Sequence, residues 1–201
     1  MRKRIIEIAV TVAVIAGITG FFIYQGHQRE IANSPSYEGN ESAIARPVNQ
    51  DNLQSKLCAV KRVSDGDTIA VDCSGQELKI RFCGIDAPEK AQPLGMDSKA
   101  LMAKLVEGKK VYVMAIEQDR YGRTVAEVEV VGDRKNDKGE LINIFVNAEM
   151  VRSGMAYHYK QYSNCPNREL IIDAEKFAQD KKIGVWSGNH VKPWDYRHAK
   201  K

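Results

Sequence analysis

Between Leu57 and Val131 the chain runs through five short stretches of strand character, each stopped by a turn signal, and no other feature constrains its fold as strongly. Leu57–Val63 alternates loosely and then meets Asp65-Gly66, a hairpin signal. Thr68–Cys73 reads as the return strand, Ser74-Gly75-Gln76 as a second turn, and Leu78–Cys83 as a third strand. Val111–Ile116 and Thr124–Val131 alternate and are rich in β-branched residues, which adds two more. Short strands in unbroken succession predict a small closed barrel.

The helical segments keep a different rhythm. Asp97 can cap a helix over Ser98–Val106, with Leu101, Met102 and Leu105 on one face and Gly108 as its stop. Asn147 can cap a short helix that ends at Gly154. Pro166 near a first turn opens a longer one, Arg168–Lys182, closed by Gly184. Leu170, Ile171, Ala174, Phe177 and Ala178 give it an apolar stripe of the kind that packs on a core. Strands followed by helices predict an α+β fold: a five-stranded barrel of the oligonucleotide-binding (OB) type with about three α-helices.

The organisation ahead of residue 55 is of another kind. Met1–Arg4 is a basic cap, and from Ile5 to Tyr24 the chain is almost wholly apolar or small, Glu7 being the charged interruption. About 20 such residues cross a bilayer, whereas a secretory core is about 7–15 residues long. Residues 1–24 therefore read as a single-pass transmembrane anchor, with a cleaved signal peptide as the alternative. The cap should stay on the cytoplasmic side and the remainder on the periplasmic or extracellular side. Residues 25–54 are polar and broken by Gly, Pro, Ser and Asn, which reads as a linker. The folded domain is expected over 55–201. Its four cysteines, Cys58, Cys73, Cys83 and Cys165, allow three disulfide connectivities in an exported domain. A hairpin about Asp65-Gly66 would place Cys58 opposite Cys73, while four reduced, buried thiols are the other reading.

Charge alone decides little. Thirty Lys and Arg against 26 Asp and Glu leave a formal net charge of +4, which permits a polyanionic partner without requiring one. The four histidines lack zinc spacing and there is no CxxC pair, so the metal chemistry open to the chain is that of a hard, oxygen-ligated ion. Asp67 and Asp86 stand at predicted strand ends beside turn residues, where two carboxylates can converge on such an ion. Glu89, three residues past Asp86 and across Pro88, can orient or deprotonate a water. Arg81 and Arg123 can each grip phosphate oxygens and offset charge that grows in a transition state. Asp65 reads as local turn chemistry. Taken together, these residues are what metal-assisted hydrolysis of a phosphodiester needs.

The ordered set Asp65-Gly66-Asp67-Thr68, Arg81 to Glu89, Arg120-Tyr121-Gly122-Arg123, Gly154-Met155-Ala156-Tyr157 and Gly184-Val185-Trp186 resembles the staphylococcal nuclease (thermonuclease) family over about Cys58 to Trp186. Pro193-Trp194-Asp195-Tyr196-Arg197 is similar to the C-terminal signature of its exported bacterial members. The resemblance implies an OB-like barrel and a calcium-dependent nuclease with little sequence preference. Such an enzyme acts on DNA and RNA and leaves 3′-phosphate ends. By motif position it implies Asp67, Asp86 and the Ala87 backbone carbonyl as calcium ligands. Ala87 stands where the best-known members have Thr, and a backbone ligand tolerates that change. Arg81, Glu89 and Arg123 take the catalytic positions, Glu89 as the residue usually assigned as general base. Tyr121, Tyr157 and Tyr159 fall where substrate-binding tyrosines are expected. A monomer is expected. The rival readings are a non-catalytic OB module that binds single strands and a tethered structural protein. Neither gives work to three carboxylates placed beside phosphate-binding arginines.

Overall fold

A computed structural model describes residues 45–47, 55–135, 139, 141–161 and 164–200. They belong to the unit spanning Glu41–Lys201. The apolar run 5–24 and most of the 25–54 segment lie outside the described residues. Among the described residues no helix is long and apolar enough to cross a membrane.

In chain order the strands are β1 (Ala45–Pro47), β2 (Ser55–Val63), β3 (Thr68–Cys73), β4 (Gln76–Phe82), β5 (Ile85–Asp86), β6 (Lys110–Gln118), β7 (Thr124–Lys135), β8 (Leu141–Phe145) and β9 (Tyr157–His158). The α-helices are α1 (Gly95–Val106), α2 (Val146–Arg152), α3 (Arg168–Lys181) and α4 (Pro193–Ala199), with a 3-10 turn at Gly184–Trp186. The main sheet runs β1-β8-β7-β4-β3-β2-β6, and β6 pairs again with β7. That second pairing closes β7, β4, β3, β2 and β6 into the five-stranded barrel the sequence predicts, a closure that leaves these strands without free edges. Among the described residues only the β4–β7 pairing is parallel.

The five forecast strands hold in place and nearly in length, but β5, β8 and β9 were not forecast and the helix count needs correction. There are four α-helices among the described residues, the fourth being α4 over Pro193–Ala199. Helix α1 begins at Gly95, so Asp97 lies in its first turn rather than at its cap. Three residues of the segment read as linker, Ala45–Pro47, form β1 on the open edge of β8. An edge is where a strand containing Pro47 can be accommodated.

One apolar cluster joins barrel and helices. Ile69, Val71, Ile80, Phe82, Val111 and Val128 come from the strands, Met102 and Val106 from α1, Met150 and Val151 from α2, and Ile171 and Ala174 from α3. Burying a side chain such as Ile171 stabilises the fold by about 1.5–3 kcal/mol. The two disulfides are Cys58–Cys73, 15 residues apart, and Cys83–Cys165, 82 apart. The first spans the β2–β3 hairpin as the register argument anticipated, with Ala59 opposite Asp72 one step inward. Gly154 and Gly184 meet backbone to backbone, and a Cβ on Gly184 would lie 2.0 Å from the Gly154 carbonyl oxygen.

Asn147 is not the cap of its helix, which begins at Val146 with Phe145 at the cap position. It is fully buried inside α2. Its Oδ1 accepts from the Val128 N–H at 3.0 Å, and its Nδ2 donates to the Cys83 carbonyl at 2.9 Å. It therefore stitches β7 to the turn between β4 and β5. Asn147→Ala leaves a buried N–H and a buried carbonyl unmet, each worth about 1–3 kcal/mol. Urea unfolding should show a loss of about 3 kcal/mol, and a loss below about 1 kcal/mol would show that the stitch is dispensable.

Candidate active site

The strand ends that carry the predicted charges open onto one cavity of about 590 Å³. Its walls include Asp67, Arg81, Asp86, Ala87, Glu89 and Arg123, with Tyr121 and Tyr159 beside them. Local packing sets the first of these. Gly66 lies so close to α1 that an added Cβ would sit 1.9 Å from Ser98 Oγ and 2.7 Å from Ala87 Cβ. Asp65 Oδ1 accepts from the Asp67 N–H at 3.2 Å, the turn chemistry expected of it. Burial and the neighbouring Asp67 charge push the Asp65 carboxyl up to about 6. Asp67 then points inward, its Oδ1 accepting from Thr68 Oγ1 at 2.9 Å and its Oδ2 from the Ala87 N–H at 2.9 Å.

Arg81 reaches the cavity from β4 with Thr68 opposite it in the ladder. It is 5 % exposed and held at four points. Its Nη1 donates to the carbonyls of Phe82 and Ile85 at 3.0 and 2.7 Å. Its Nη2 lies 3.3 Å from Asp67 Oδ2 and 2.9 Å from Asp86 Oδ1. Asp86 is completely buried in β5, where it pairs with Tyr157 of β9. Burial pushes its carboxyl up, against the pull of the Arg197 hydrogen bonds and the Arg81 charge.

Glu89 follows Pro88 in a loop secured by Gln92, whose Oε1 accepts from the Glu89 N–H at 2.9 Å while its own N–H donates to the Glu89 carbonyl at 2.7 Å. Arg123 sits in a turn organised by Asp119. The Asp119 carboxylate accepts from the backbone N–H groups of Tyr121 and Arg123, both at 2.9 Å, and from Arg123 Nε at 2.6 Å. Burial works against that carboxylate, but these hydrogen bonds outweigh it and hold the Asp119 carboxyl below its ordinary value. Tyr121 is 68 % exposed, with the Arg120 and Arg123 guanidiniums 4.9 and 5.5 Å from its ring centre.

The three tyrosines separate. Tyr121 and Tyr159 line the cavity. Tyr157 does not: it is 2 % exposed, directs its hydroxyl at the Val185 carbonyl (3.4 Å), and packs edge-on against Trp186 and Trp194. The structure gives it a packing place against Trp186 and Trp194, opposite buried Asp86 in the β5–β9 ladder.

The cavity residues to which the sequence reading gave no role include Lys79, Gln161, Trp194, Arg197 and His198. The last three share α4, and their spacing of three and four residues was a signal that they occupy one helix face. Lys192-Pro193 ahead of them was a helix-start signal as well. Trp194 packs beside Tyr159 with ring centres 5.5 Å apart. Arg197 Nη2 lies 2.8 Å from Asp86 Oδ2, and its Nη1 lies 2.9 Å from Glu89 Oε1 and 3.2 Å from Asp86 Oδ1. Burial disfavours the Arg197 charge, but these carboxylates more than restore it and raise its pKa.

Whether this site suits a hard divalent cation is a matter of donor chemistry. Two carboxylate oxygens, from Asp67 and Asp86, already converge on one Arg81 nitrogen, so they lie within the reach of a single ion. Among the described residues no group of three His, Cys, Asp or Glu side chains encloses a metal site. The two carboxylates are oxygen donors, the chemistry that a hard divalent cation such as calcium takes.

Residues 79–188 match the family described as staphylococcal nuclease homologue. The chain belongs to the staphylococcal nuclease homologue family. The family match spans Arg81 through Trp186 but neither Asp67 nor α4. The chain is 38 % identical over 150 residues to an uncharacterized endonuclease of Haemophilus influenzae, covering 74 % of this chain and 76 % of that protein. It is 38 % identical over 143 residues to a micrococcal nuclease of Shigella flexneri, covering 71 % and 80 %. A probable staphylococcal-like nuclease of rice is 35 % identical over 174 residues, covering 86 % of this chain and 48 % of the rice protein. As a member of this family the chain has the OB-like barrel the sequence led us to expect.

Proposed function

We propose that the chain is a calcium-dependent nuclease of low sequence preference that hydrolyses phosphodiester bonds of DNA and RNA and leaves 3′-phosphate ends. One observation carries this reading: Asp67, Arg81, Asp86, Glu89 and Arg123 line a single cavity on a nuclease-family barrel. A polyanion is held by cations, so the carboxylates in that wall need another task. Metal binding and handling of a water supply it. A purely nucleic-acid-binding module has no comparable use for them.

In this scheme Arg81 and Arg123 grip the phosphate from opposite sides and offset the charge that grows on its oxygens. Glu89 orients the attacking water and takes its proton. Exposed Tyr121 and half-buried Tyr159 flank the sugar and base, with Tyr157 supporting from below. Asp67, Asp86 and the Ala87 carbonyl would hold calcium, which when bound supplies positive charge at the scissile phosphate. The enzyme would act as a monomer. We further propose that it works on the periplasmic or extracellular side of a membrane, tethered by residues 1–24 or released from them. The basic cap with its apolar run supports this, and two disulfides suit an oxidising compartment.

The test is cleavage of fluorescent single-stranded DNA and RNA by the full chain. Calcium should support cleavage and a chelator should stop it. Glu89→Gln should lower turnover by about 10²–10⁴-fold, and Arg123→Ala by about 10²–10³-fold. Full activity in the Glu89→Gln/Arg123→Ala double variant would sink the reading.

A further inference from the structure

The two guanidiniums that touch Asp86 are held in different ways. Arg81 has a 7 % exposed side chain and spends half of its contacts on backbone carbonyls, so it belongs to the barrel wall. Arg197 has a 40 % exposed side chain, and its hydrogen bonds all run to Asp86 and Glu89. It covers both Asp86 oxygens and one Glu89 oxygen, as a fork closes on a carboxylate. It arrives on α4, a helix of seven residues. That helix is held on by buried Pro193, by Trp194 against Tyr159, and by Gln92 Nε2 donating to the Val191 carbonyl at 2.8 Å. Gln92 also fixes the Glu89 loop, so one side chain ties the water-handling carboxylate to the approach of α4.

We propose that Arg197 is a site residue that acts as an intramolecular cation, competing with the divalent metal for Asp86 and thereby setting the affinity of the metal site. The inference rests on the metal reading given above. Its physical basis is charge and access. Asp67, Asp86 and Glu89 bring three carboxylates, and Arg81 and Arg197 answer with two guanidiniums, leaving one net negative charge. Loss of Arg197 doubles the charge of this ion-paired cluster and frees Asp86 Oδ2, while Oδ1 keeps its bond to Arg81 Nη2. With Arg197 Nη2 2.8 Å from Asp86 Oδ2, each such change alters cation affinity even at the effective dielectric of about 20 that suits protein sites. Metal entry then requires the Arg197 fork to leave Asp86, which frees a guanidinium of the cavity wall for the substrate phosphate.

Isothermal titration calorimetry with calcium chloride on the full chain tests this without reference to turnover. Arg197→Gln and Arg197→Ala should each bind calcium at least about tenfold more tightly than the wild type, circular dichroism confirming the fold. Gln, which keeps most of the side-chain volume, carries the test where Ala unfolds. Equal or weaker affinity in a folded variant, with calcium binding by the wild type, overturns the inference and leaves the metal reading standing. Calcium binding by none of the three proteins removes the metal reading and this inference with it.

Discussion

Arg81→Lys should lower nuclease turnover by about 1,000-fold, among the largest effects on activity expected from a single change in this protein. A guanidinium presents five N–H groups in a rigid fork, and Arg81 uses that geometry to meet two carbonyls and two carboxylates at once. An ammonium is one point with three donors and cannot span the same four acceptors. Lysine keeps the positive charge between Asp67 and Asp86, so most of the stability should survive. Arg81→Ala goes further. It leaves the Asp67 and Asp86 carboxylates facing each other with no shared cation, and loss of one partner from a buried pair costs about 3–5 kcal/mol. Steady-state turnover and thermal unfolding on both variants separate the two roles. Near-wild-type turnover in Arg81→Lys would mean that charge alone suffices and that the fork plays no part.

The largest loss of stability should follow removal of Cys83–Cys165. This disulfide closes a loop 82 residues long, and chain entropy assigns such a closure about 4.5 kcal/mol, against about 3 kcal/mol for the 15-residue Cys58–Cys73 loop. Its position adds to the effect. Cys83 lies two residues beyond Arg81 and three before Asp86, so the bond pins the site-bearing turn to the start of α3. The Cys83→Ser/Cys165→Ser double variant should melt on the order of 10 °C or more below the wild type. Cys58→Ser/Cys73→Ser should melt less far below it. A reversed order in thermal melts followed by circular dichroism would show that loop length is not what matters here.

The barrel was legible because its strands alternate and end at Gly-containing turns, and local chemistry of that kind survives tertiary packing. The β2–β6 and β4–β7 contacts that complete the ring left no local mark, since pairing partners far apart in sequence are chosen by the closed ring as a whole. Strands of two residues, β5 and β9, are too short to carry a period at all, yet they fix Asp86 beside Tyr157. Site residues at strand ends could be read from residue type and spacing. Those fixed by another residue could not. Asp119 carried no motif signal, yet its carboxylate holds both the Arg123 side chain and its backbone. Arg197 was quoted in a terminal motif but assigned no task, because nothing in the sequence relates it to Asp86, 111 positions earlier. Tyr157 illustrates the opposite case, a residue type suited to substrate contact that packing uses for support.

The most direct test of the central claim is product analysis on a single 5′-labelled DNA strand incubated with the full chain, with calcium or with chelator. The account predicts a spread of fragments in calcium whose 3′ ends carry phosphate, and an intact strand with chelator. Binding of the strand without cleavage in calcium, or cleavage that persists unchanged with chelator and in the Glu89→Gln/Arg123→Ala variant, would contradict it.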